Sequence, residues 1–358
     1  MGNSYLAVKS IFDTLGISVV IPPLNSKKSL DIGCQFSPEE ICLPFKLMMG
    51  NLIEGIEKGA DTVIMVGSCG PCRLGQYCEL QMKTLGNLGY NVDFIVIDSP
   101  AEIGKKEFMS RIVRISSQSQ KKKKEKLLAL RNGYKIINLI EEIETKAKYL
   151  NGYEVNKGEC LNIIKECKLD SIKCTNSKDM IKVLEGYMKK LKELNIDKQK
   201  NPLKIAVIGE IYTIIEPFSN INIEEKLMKQ GVSIIRKITP RWWIKDTLLK
   251  PFKMNSMDIN KAAKKYIPYS IGGFSKECIG ESVLASQNKC DGAIQIFPMG
   301  CMPEIVSKSI LPTVSRDLNF PIMSLIMDEI TGEAGYITRI EAFLDLLERR
   351  HKNVLYGN

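Results

Sequence analysis

The sequence predicts an α/β fold with two parallel-sheet lobes and a helical insert between them. Apolar runs typical of strands alternate with amphipathic stretches in residues 1–110 and again in residues 201–358. Residues 111–200 have helical periodicity and no convincing strand. Because strands that alternate with helices form parallel sheets covered on both faces, we predict a first α/β lobe, a helical insert or bridge, and a second α/β lobe. These units correspond to residues 1–110, 111–200 and 201–358.

In the first lobe, apolar periodicity in residues 5–15 predicts a helix. The segment Ser37-Pro38-Glu39-Glu40 has the features of a helix start, with Ser as N-cap, Pro in the first position and Glu completing a capping box. We expect that helix to continue toward Lys58. Buried strands are predicted at residues 61–66 and 92–97, and a helix at residues 73–89.

The insert begins with a polar segment at residues 116–126. Three amphipathic stretches follow and predict helices near residues 126–150, 157–168 and 177–195. In the second lobe, apolar runs predict strands at residues 204–209, 232–238, 291–297 and 322–327. Helices are predicted at residues 223–230 and, at the end of the chain, 336–350.

Cysteine and histidine usage restricts the chemistry of the chain. Its 358 residues include 11 Cys and one His, and that residue, His351, lies close to the C-terminus. Catalytic triads, Cys-His dyads and histidine-rich zinc sites therefore cannot be built within the fold. Any metal held by side chains would have mostly thiolate or carboxylate ligands.

The charge of the chain is concentrated in the insert. The net charge is +10, and residues 121–200 contain 20 Lys/Arg against 12 Asp/Glu. We interpret this excess as a solvated helical face. No nucleic-acid partner is expected, because no known nucleic-acid-reading motif is present. No apolar run reaches the roughly 18 residues of a membrane span, and the N-terminus lacks a signal-peptide pattern. We therefore expect a cytoplasmic protein without a membrane partner, in a compartment where disulfides are rare.

Four cysteines follow predicted strands or open predicted helices. Cys69 and Cys72 form a C-x-x-C motif between a strand and a helix, and Cys301 occupies a Gly/Pro turn between another strand and helix. Cys42 lies near the start of the capped helix. Since ligands bind at the carboxyl ends of strands in α/β sheets, these thiols are expected at a crevice between the lobes. Four thiolates are the usual complement of a [4Fe–4S] cluster.

The other cysteines are interpreted separately. Cys34 and Cys78 lie near the predicted ligands and could be ligands or bystanders. The remaining five are interpreted as buried bystanders: Cys160, Cys167, Cys174, Cys278 and Cys290. Two alternatives to the cluster stay open, namely a non-enzymatic protein with a structural cluster or zinc and CGPC-type thiol–disulfide exchange.

Carboxylates also follow predicted strands. Glu210 directly follows the predicted strand at residues 204–209, and we treat it as a catalytic candidate. The alternative is that it only caps the next helix, as acids before helices often do. Asp328, Glu329 and Glu333 follow the strand at residues 322–327, and we expect all four acids in one crevice. Neither a Walker A motif nor a Rossmann glycine fingerprint is present, so we do not expect this chain to hydrolyse ATP itself.

Several segments together resemble a known family. They are SPEEICLPFKLMMGN (37–51), GADTVIMVGSCGPCRLGQYCELQ (59–81), KIAVIGEIYTIIEPFSNINIEEKL (204–227), FPMGCMPEIVSKSILP (297–312) and DEITGEAGYITRIEAFLDLL (328–347). The chain resembles the CoA-protein activase family, which is related to the 2-hydroxyacyl-CoA dehydratase and benzoyl-CoA reductase subunits and to double-cubane cluster proteins.

The resemblance implies two Rossmann-like lobes with an iron–sulfur cluster between them. The cysteines that match are Cys42, Cys69, Cys72 and Cys301. It also implies an ATP-hydrolysing activase partner of the actin/HSP70-type fold, which delivers low-potential electrons to this chain for one-electron reduction chemistry. The chain would then be a component of an ATP-coupled reductase or dehydratase. The substrate and the choice between homo- and hetero-oligomer stay open.

Overall fold

A computed structural model describes residues 2–67, 72–98, 103–249, 254–330 and 332–356. The elements of the first lobe are α1 (Tyr5–Leu15), α2 (Lys27–Gln35), α3 (Leu43–Glu57), β1 (Thr62–Val66), α4 (Tyr77–Asn87) and β2 (Asp93–Ile97). The helical segment that follows contains α5 (Lys105–Ser116), α6 (Lys123–Leu150), α7 (Glu159–Lys173) and α8 (Ser177–Lys192).

The second lobe alternates strands and helices to the end of the described chain. Its elements are β3 (Lys204–Gly209), α9 (Ile211–Ile215), α10 (Ile223–Lys229), β4 (Ser233–Ile235), α11 (Pro240–Leu249), α12 (Met257–Ala263), α13 (Ser275–Gln287), β5 (Gly292–Pro298), α14 (Met302–Asp317), β6 (Ile322–Met327) and α15 (Glu333–Tyr356).

Two parallel sheets confirm the predicted α/β class. Strands β1 and β2 form the first sheet, and the second sheet has the order β4-β3-β5-β6 with every pair parallel. The central strands β3 and β5 are buried along almost their whole length, as expected when helices cover both faces of a parallel sheet. If the four strands of this sheet are numbered 1 to 4 in chain order, their order in the sheet is 2-1-3-4. The strand order therefore reverses between β3 and β5. That reversal is the point at which doubly wound sheets open a crevice at their carboxyl edge.

The helical segment shares one apolar core with the second sheet. Ile136 and Ile143 of α6 belong to the same buried cluster as Ile205 of β3 and Ile294 of β5. Helix α1 also packs against α6 and α8. The N-terminal helix therefore lies with the helical segment, and the first sheet has a separate small core.

Buried ion pairs connect the helical segment to the second lobe. Glu224 of α10 accepts hydrogen bonds from Lys148 of α6 at 2.7 Å and from Arg236 at 2.8 Å. Burial alone would raise the pKa of Glu224, but the two cations outweigh it and lower that pKa to about 2. The carboxylate therefore stays charged and paired at neutral pH.

The helix expected from Ser37 begins later than the capping pattern predicted. Helix α3 starts at Leu43, with Cys42 as its N-cap and Pro44 in its first turn. A helix that began at Pro38 would place Pro44 in its interior, where proline has no N–H to donate and clashes with the preceding turn. The Ser37 hydroxyl is buried without a hydrogen-bond partner, so the capping box does not form.

Most lysines of the basic helical segment lie at the surface, whereas Lys148 is buried. Among the surface lysines, Lys135 pairs with Glu185 at 2.6 Å and Lys165 with Glu225 at 2.9 Å, and both acids belong to neighbouring helices. In the described parts of the chain, every helix is too short or too polar to cross a membrane.

Candidate functional site

Cys42 lies where the chain enters α3. It is the N-cap residue, with extended backbone angles (φ −67°, ψ 150°), and only 8% of its surface is exposed. Its Sγ is hydrogen bonded to the hydroxyl of Tyr77, the first residue of α4. Because the first N–H groups of a helix carry partial positive charge, this position favours a negatively charged sulfur.

Cys301 has the same relation to α14. It is the N-cap of that helix, Pro303 lies in the first turn, and the preceding Gly300 has a φ of +73°. Cys301 is also 8% exposed. It follows β5 at the carboxyl edge of the second sheet, next to the reversal in strand order. The structure therefore places Cys42 and Cys301 as buried thiols at the N-termini of two helices, one in each lobe.

Only the last residue of the C-x-x-C motif lies within the described residues. Cys69 belongs to residues 68–71 and lies outside the described residues. Cys72 is half-buried and begins a turn in which its carbonyl accepts a hydrogen bond from the Gly75 N–H at 3.1 Å.

Arg73 connects the three cysteine-bearing loops. Its guanidinium donates to the carbonyl of Gly300 at 2.8 Å and to the carbonyl of Glu40 at 3.3 Å. Gly300 directly precedes Cys301, and Glu40 is two residues before Cys42. One side chain next to the C-x-x-C motif therefore holds both of the other loops.

The thiols influence one another electrostatically. Burial raises the pKa of Cys42, whereas the Tyr77 hydroxyl and the Arg73 guanidinium act in the opposite direction. Burial also raises the pKa of Cys301 well above its ordinary value, opposed by the nearby backbone N–H of Glu304. Charge on Cys72 would raise both pKa values further. In the metal-free chain, Cys42 and Cys301 are therefore neutral thiols at neutral pH, and a metal would have to displace their protons.

Glu210 lies at the same rim and caps α9. One carboxylate oxygen accepts the N–H of Tyr212 at 2.8 Å, and the other accepts the N–H and hydroxyl of Thr213 at 2.9 and 2.7 Å. Burial raises the pKa of Glu210, and these hydrogen bonds lower it by less. Its charge acts on both Cys42 and Cys301. The structure therefore brings Glu210 close to these two cysteines.

The acids after β6 separate in the structure. Glu329 accepts a hydrogen bond at 2.7 Å from Lys46 of α3, which is almost completely buried and also donates to the Glu39 carbonyl at 2.9 Å. Glu333 instead pairs with Lys226 of α10 at 2.8 Å and is largely exposed. Lys46 and Glu329 therefore form a contact between the lobes, whereas Glu333 is bound to a surface helix of the second lobe.

Cys34 and Cys78 have charged neighbours different from those of Cys42 and Cys301. The charges that act on Cys34 are those of Lys46, Glu329, Lys27 and Asp31, and those that act on Cys78 are Asp98 and Glu79. The five cysteines interpreted as bystanders are all buried: Cys160, Cys167, Cys174, Cys278 and Cys290. Within the described residues, no disulfide joins any of the ten cysteines.

Sequence reasoning missed three residues of this site. Arg73 and Tyr77 follow the C-x-x-C motif by one and five positions, and Lys46 lies one turn into α3. The only sequence signal was the position of Arg73 next to a motif. Their partners are distant in the chain, so local patterns could not identify them.

The chemistry of the donor set fits a thiolate-bound metal. His351 pairs with Asp291 at the beginning of β5, at the opposite edge of the sheet from Cys301, so no imidazole is near the rim. Within the described residues, no three His, Cys, Asp or Glu side chains are already grouped closely enough to hold a metal ion. Cys69 is not among those residues.

Comparison with known families identifies the chain. No curated protein matches it. A family model described as the CoA enzyme activase uncharacterised domain (DUF2229) matches residues 1–238. This match includes Cys42, Cys69, Cys72 and Glu210, whereas Cys301 lies beyond it. Because it covers more than half of the 358 residues, the chain belongs to the CoA enzyme activase domain family.

Proposed function

We propose that this chain is an iron–sulfur protein that accepts low-potential electrons from an ATP-dependent activase for one-electron reduction chemistry. Cys42, Cys69, Cys72 and Cys301 would hold a [4Fe–4S] cluster at the rim between the lobes. Such a cluster, when bound, supplies one-electron redox chemistry.

One observation carries most of this proposal. Three cysteines that are far apart in the sequence come from three different loops, and Arg73 ties those loops together through the carbonyls of Gly300 and Glu40. Ligands scattered along the chain are typical of a site at a crevice, whereas structural zinc sites more often use two close pairs of ligands.

The burial of Cys42 and Cys301 favours a metal-binding role for these two residues. Exchange requires an accessible thiolate, whereas Cys42 and Cys301 are buried and burial raises their pKa, so neither is suited to be an exchange thiol. A bound metal ion offsets the cost of the buried thiolates. The helix N-termini at both residues and the hydrogen bond from Tyr77 stabilise the same charge.

We propose Glu210 as a proton- or substrate-binding group. Its carboxyl is buried near Cys42 and Cys301, but both oxygens already accept hydrogen bonds from the cap of α9.

The proposed electron donor is an ATP-hydrolysing activase of the actin/HSP70-type fold. Membership of the CoA enzyme activase domain family supports an activase-related role in general. The sequence contains neither a Walker A motif nor a Rossmann glycine fingerprint, and we propose that ATP hydrolysis takes place in the activase.

Cysteine variants of equal burial test the cluster proposal. Cys301 and Cys290 are each 8% exposed, but only Cys301 lies at the rim. After anaerobic purification, we expect Cys301→Ala to lose most of its iron and its absorbance near 400 nm, while Cys290→Ala keeps both. Iron and acid-labile sulfide are measured per chain for each variant.

Three outcomes would contradict the proposal. Equal iron content in both variants would remove Cys301 from the site. A chain that contains zinc and no iron would replace the redox role with a structural one, and dithiol activity unaffected by Cys301→Ala would favour CGPC-type exchange.

A further inference from the structure

Tyr77 contacts the candidate site through its hydroxyl. It is 3% exposed, and its hydroxyl oxygen is hydrogen bonded to the Sγ of Cys42. The ring of Phe45, on the first turn of α3, meets the Tyr77 ring edge-to-face, with centroids 5.0 Å apart and an interplanar angle of 84°. Packing therefore fixes the ring of Tyr77 and directs its hydroxyl to this sulfur.

The hydrogen bond has a defined direction once Cys42 is a thiolate. A thiolate has no proton to donate, so the Tyr77 O–H must be the donor.

We propose that Tyr77 is a positioning residue that raises the reduction potential of the cluster by donating a hydrogen bond to the Cys42 thiolate. This inference rests on the proposed function. Reduction adds one electron to the cluster from an external donor, and Tyr77 neither gains nor loses its proton. Because the added electron increases the negative charge on the ligand sulfurs, a hydrogen bond to one of them stabilises the reduced form more than the oxidised form.

The neighbouring residues make Tyr77 the appropriate donor to test. Arg73 is also close enough to act electrostatically on Cys42, but its guanidinium donates hydrogen bonds to the backbone carbonyls of Gly300 and Glu40. Arg73 would therefore hold the loops, whereas Tyr77 contacts the sulfur itself.

Tyr77→Phe in the full chain tests this inference. Phenylalanine keeps the ring and its contact with Phe45 but removes the O–H donor. In anaerobically purified protein with equal iron content, we expect a more negative midpoint potential in a dithionite titration followed by absorbance and electron paramagnetic resonance. The ratio of reduced to oxidised cluster at a fixed ambient potential should fall roughly three- to tenfold, since a hydrogen bond becomes stronger as the charge on its acceptor increases. A tenfold change corresponds to ~59 mV in a one-electron couple.

Tyr90→Phe is the matched control. Tyr90 packs against the same apolar cluster as Tyr77, and its variant should leave the potential unchanged. An unchanged potential in iron-loaded Tyr77→Phe would overturn the inference. Loss of iron from Tyr77→Phe alone would also overturn it, by assigning Tyr77 to holding the site together. A wild-type chain without iron would instead overturn the proposed function on which the inference rests.

Discussion

At the scale of single residues, Glu281 is a buried carboxyl away from the cysteine rim. It lies in α13 with 6% of its surface exposed, and its Oε1 has no hydrogen-bond partner among the described residues. Burial raises the pKa of Glu281 to about 7, with smaller contributions from Asp258 and Glu277, while Lys237 lowers it. Since this value lies above the ordinary 4.5, the native state binds more protons than the unfolded state between those pH values.

We therefore expect stability to fall as pH rises from about 4.5 through 7, because the buried carboxyl must then ionise. Glu281→Gln replaces the ionisable carboxyl with a neutral amide and so removes this fall in stability. The variant should be more stable than wild type at pH 8 by roughly 2–3 kcal/mol and should differ less at pH 5, measured by urea unfolding. Glu341→Gln, at an exposed position of α15, is the control. Parallel pH profiles for wild type and Glu281→Gln would contradict this expectation.

The residue-scale predictions from sequence depended on where each side chain's partners lie. Cys42, Cys72, Cys301 and Glu210 could be placed near a rim because each follows or precedes a recognisable element. Arg73 and Tyr77 could not be assigned, because the Gly300 carbonyl and the Cys42 sulfur that they contact are brought close only by the tertiary fold.

At the scale of elements, helices α2 and α3 cross in very close contact. A Cβ on Gly33 would lie 1.7 Å from the Lys46 carbonyl oxygen, and one on Gly50 would lie 1.8 Å from the Ser29 carbonyl oxygen. These glycines allow the two backbones to touch. Because α3 carries Cys42 at its N-cap, this crossing also sets the position of a candidate ligand.

Gly50→Ala should separate these helices. We expect the free energy of unfolding to decrease by about 1–3 kcal/mol, as for overpacked cores, with weaker retention of iron. Urea unfolding and iron analysis measure the two effects. Gly86→Ala is the control, because a Cβ at that helical position of α4 meets no atom within 4 Å. This control should stabilise the chain by roughly 0.5–1 kcal/mol. A Gly50→Ala variant as stable as Gly86→Ala would show that the crossing can relax without loss.

Element boundaries were predictable where hydrophobic periodicity was strong. The three helices of the insert appear as α6, α7 and α8, and the strand at residues 322–327 appears as β6. The predicted start of α3 was wrong. The capping pattern at Ser37 indicated an early start, but Pro44 cannot lie in the interior of that longer helix. No sequence pattern predicted that Gly33 faces the Lys46 carbonyl and Gly50 the Ser29 carbonyl. A glycine in a helix does not by itself indicate which atom it faces.

At the scale of the whole molecule, Lys46 and Glu329 join the two lobes. Lys46 is 3% exposed and belongs to α3, whereas Glu329 follows β6. Burial alone would raise the pKa of Glu329, but its hydrogen bond with Lys46 and the charge of that residue hold the pKa below its ordinary value. The pair therefore contributes stability above the ordinary pKa, and that contribution is lost as pH falls through the lower value.

Lys46→Met keeps the apolar stem and removes the charge. We expect the free energy of unfolding at pH 7 to decrease by about 1–3 kcal/mol, because two acceptors lose a charged donor. Lys27→Met is the control, since Lys27 and Asp31 pair at 3.0 Å while both are mostly exposed, and such pairs contribute about 0–1 kcal/mol. Equal effects of the two substitutions in urea unfolding would contradict a stabilising role for the contact between lobes.

The two-lobe α/β plan was predictable because alternating strands and helices restrict the possible architectures. The core shared by α6 and the second sheet could not be predicted from the sequence. Apolar faces of similar composition do not indicate which of them pack against each other. The division at residues 110 and 200 stays a prediction.

Iron content distinguishes an iron–sulfur protein from a zinc-binding or metal-free one. We expect the full chain, purified without oxygen, to contain about four irons and about four acid-labile sulfides per chain and to absorb broadly near 400 nm. A colourless chain with one zinc, or with no metal, would contradict the claim that the cysteines at the lobe interface hold an iron–sulfur cluster.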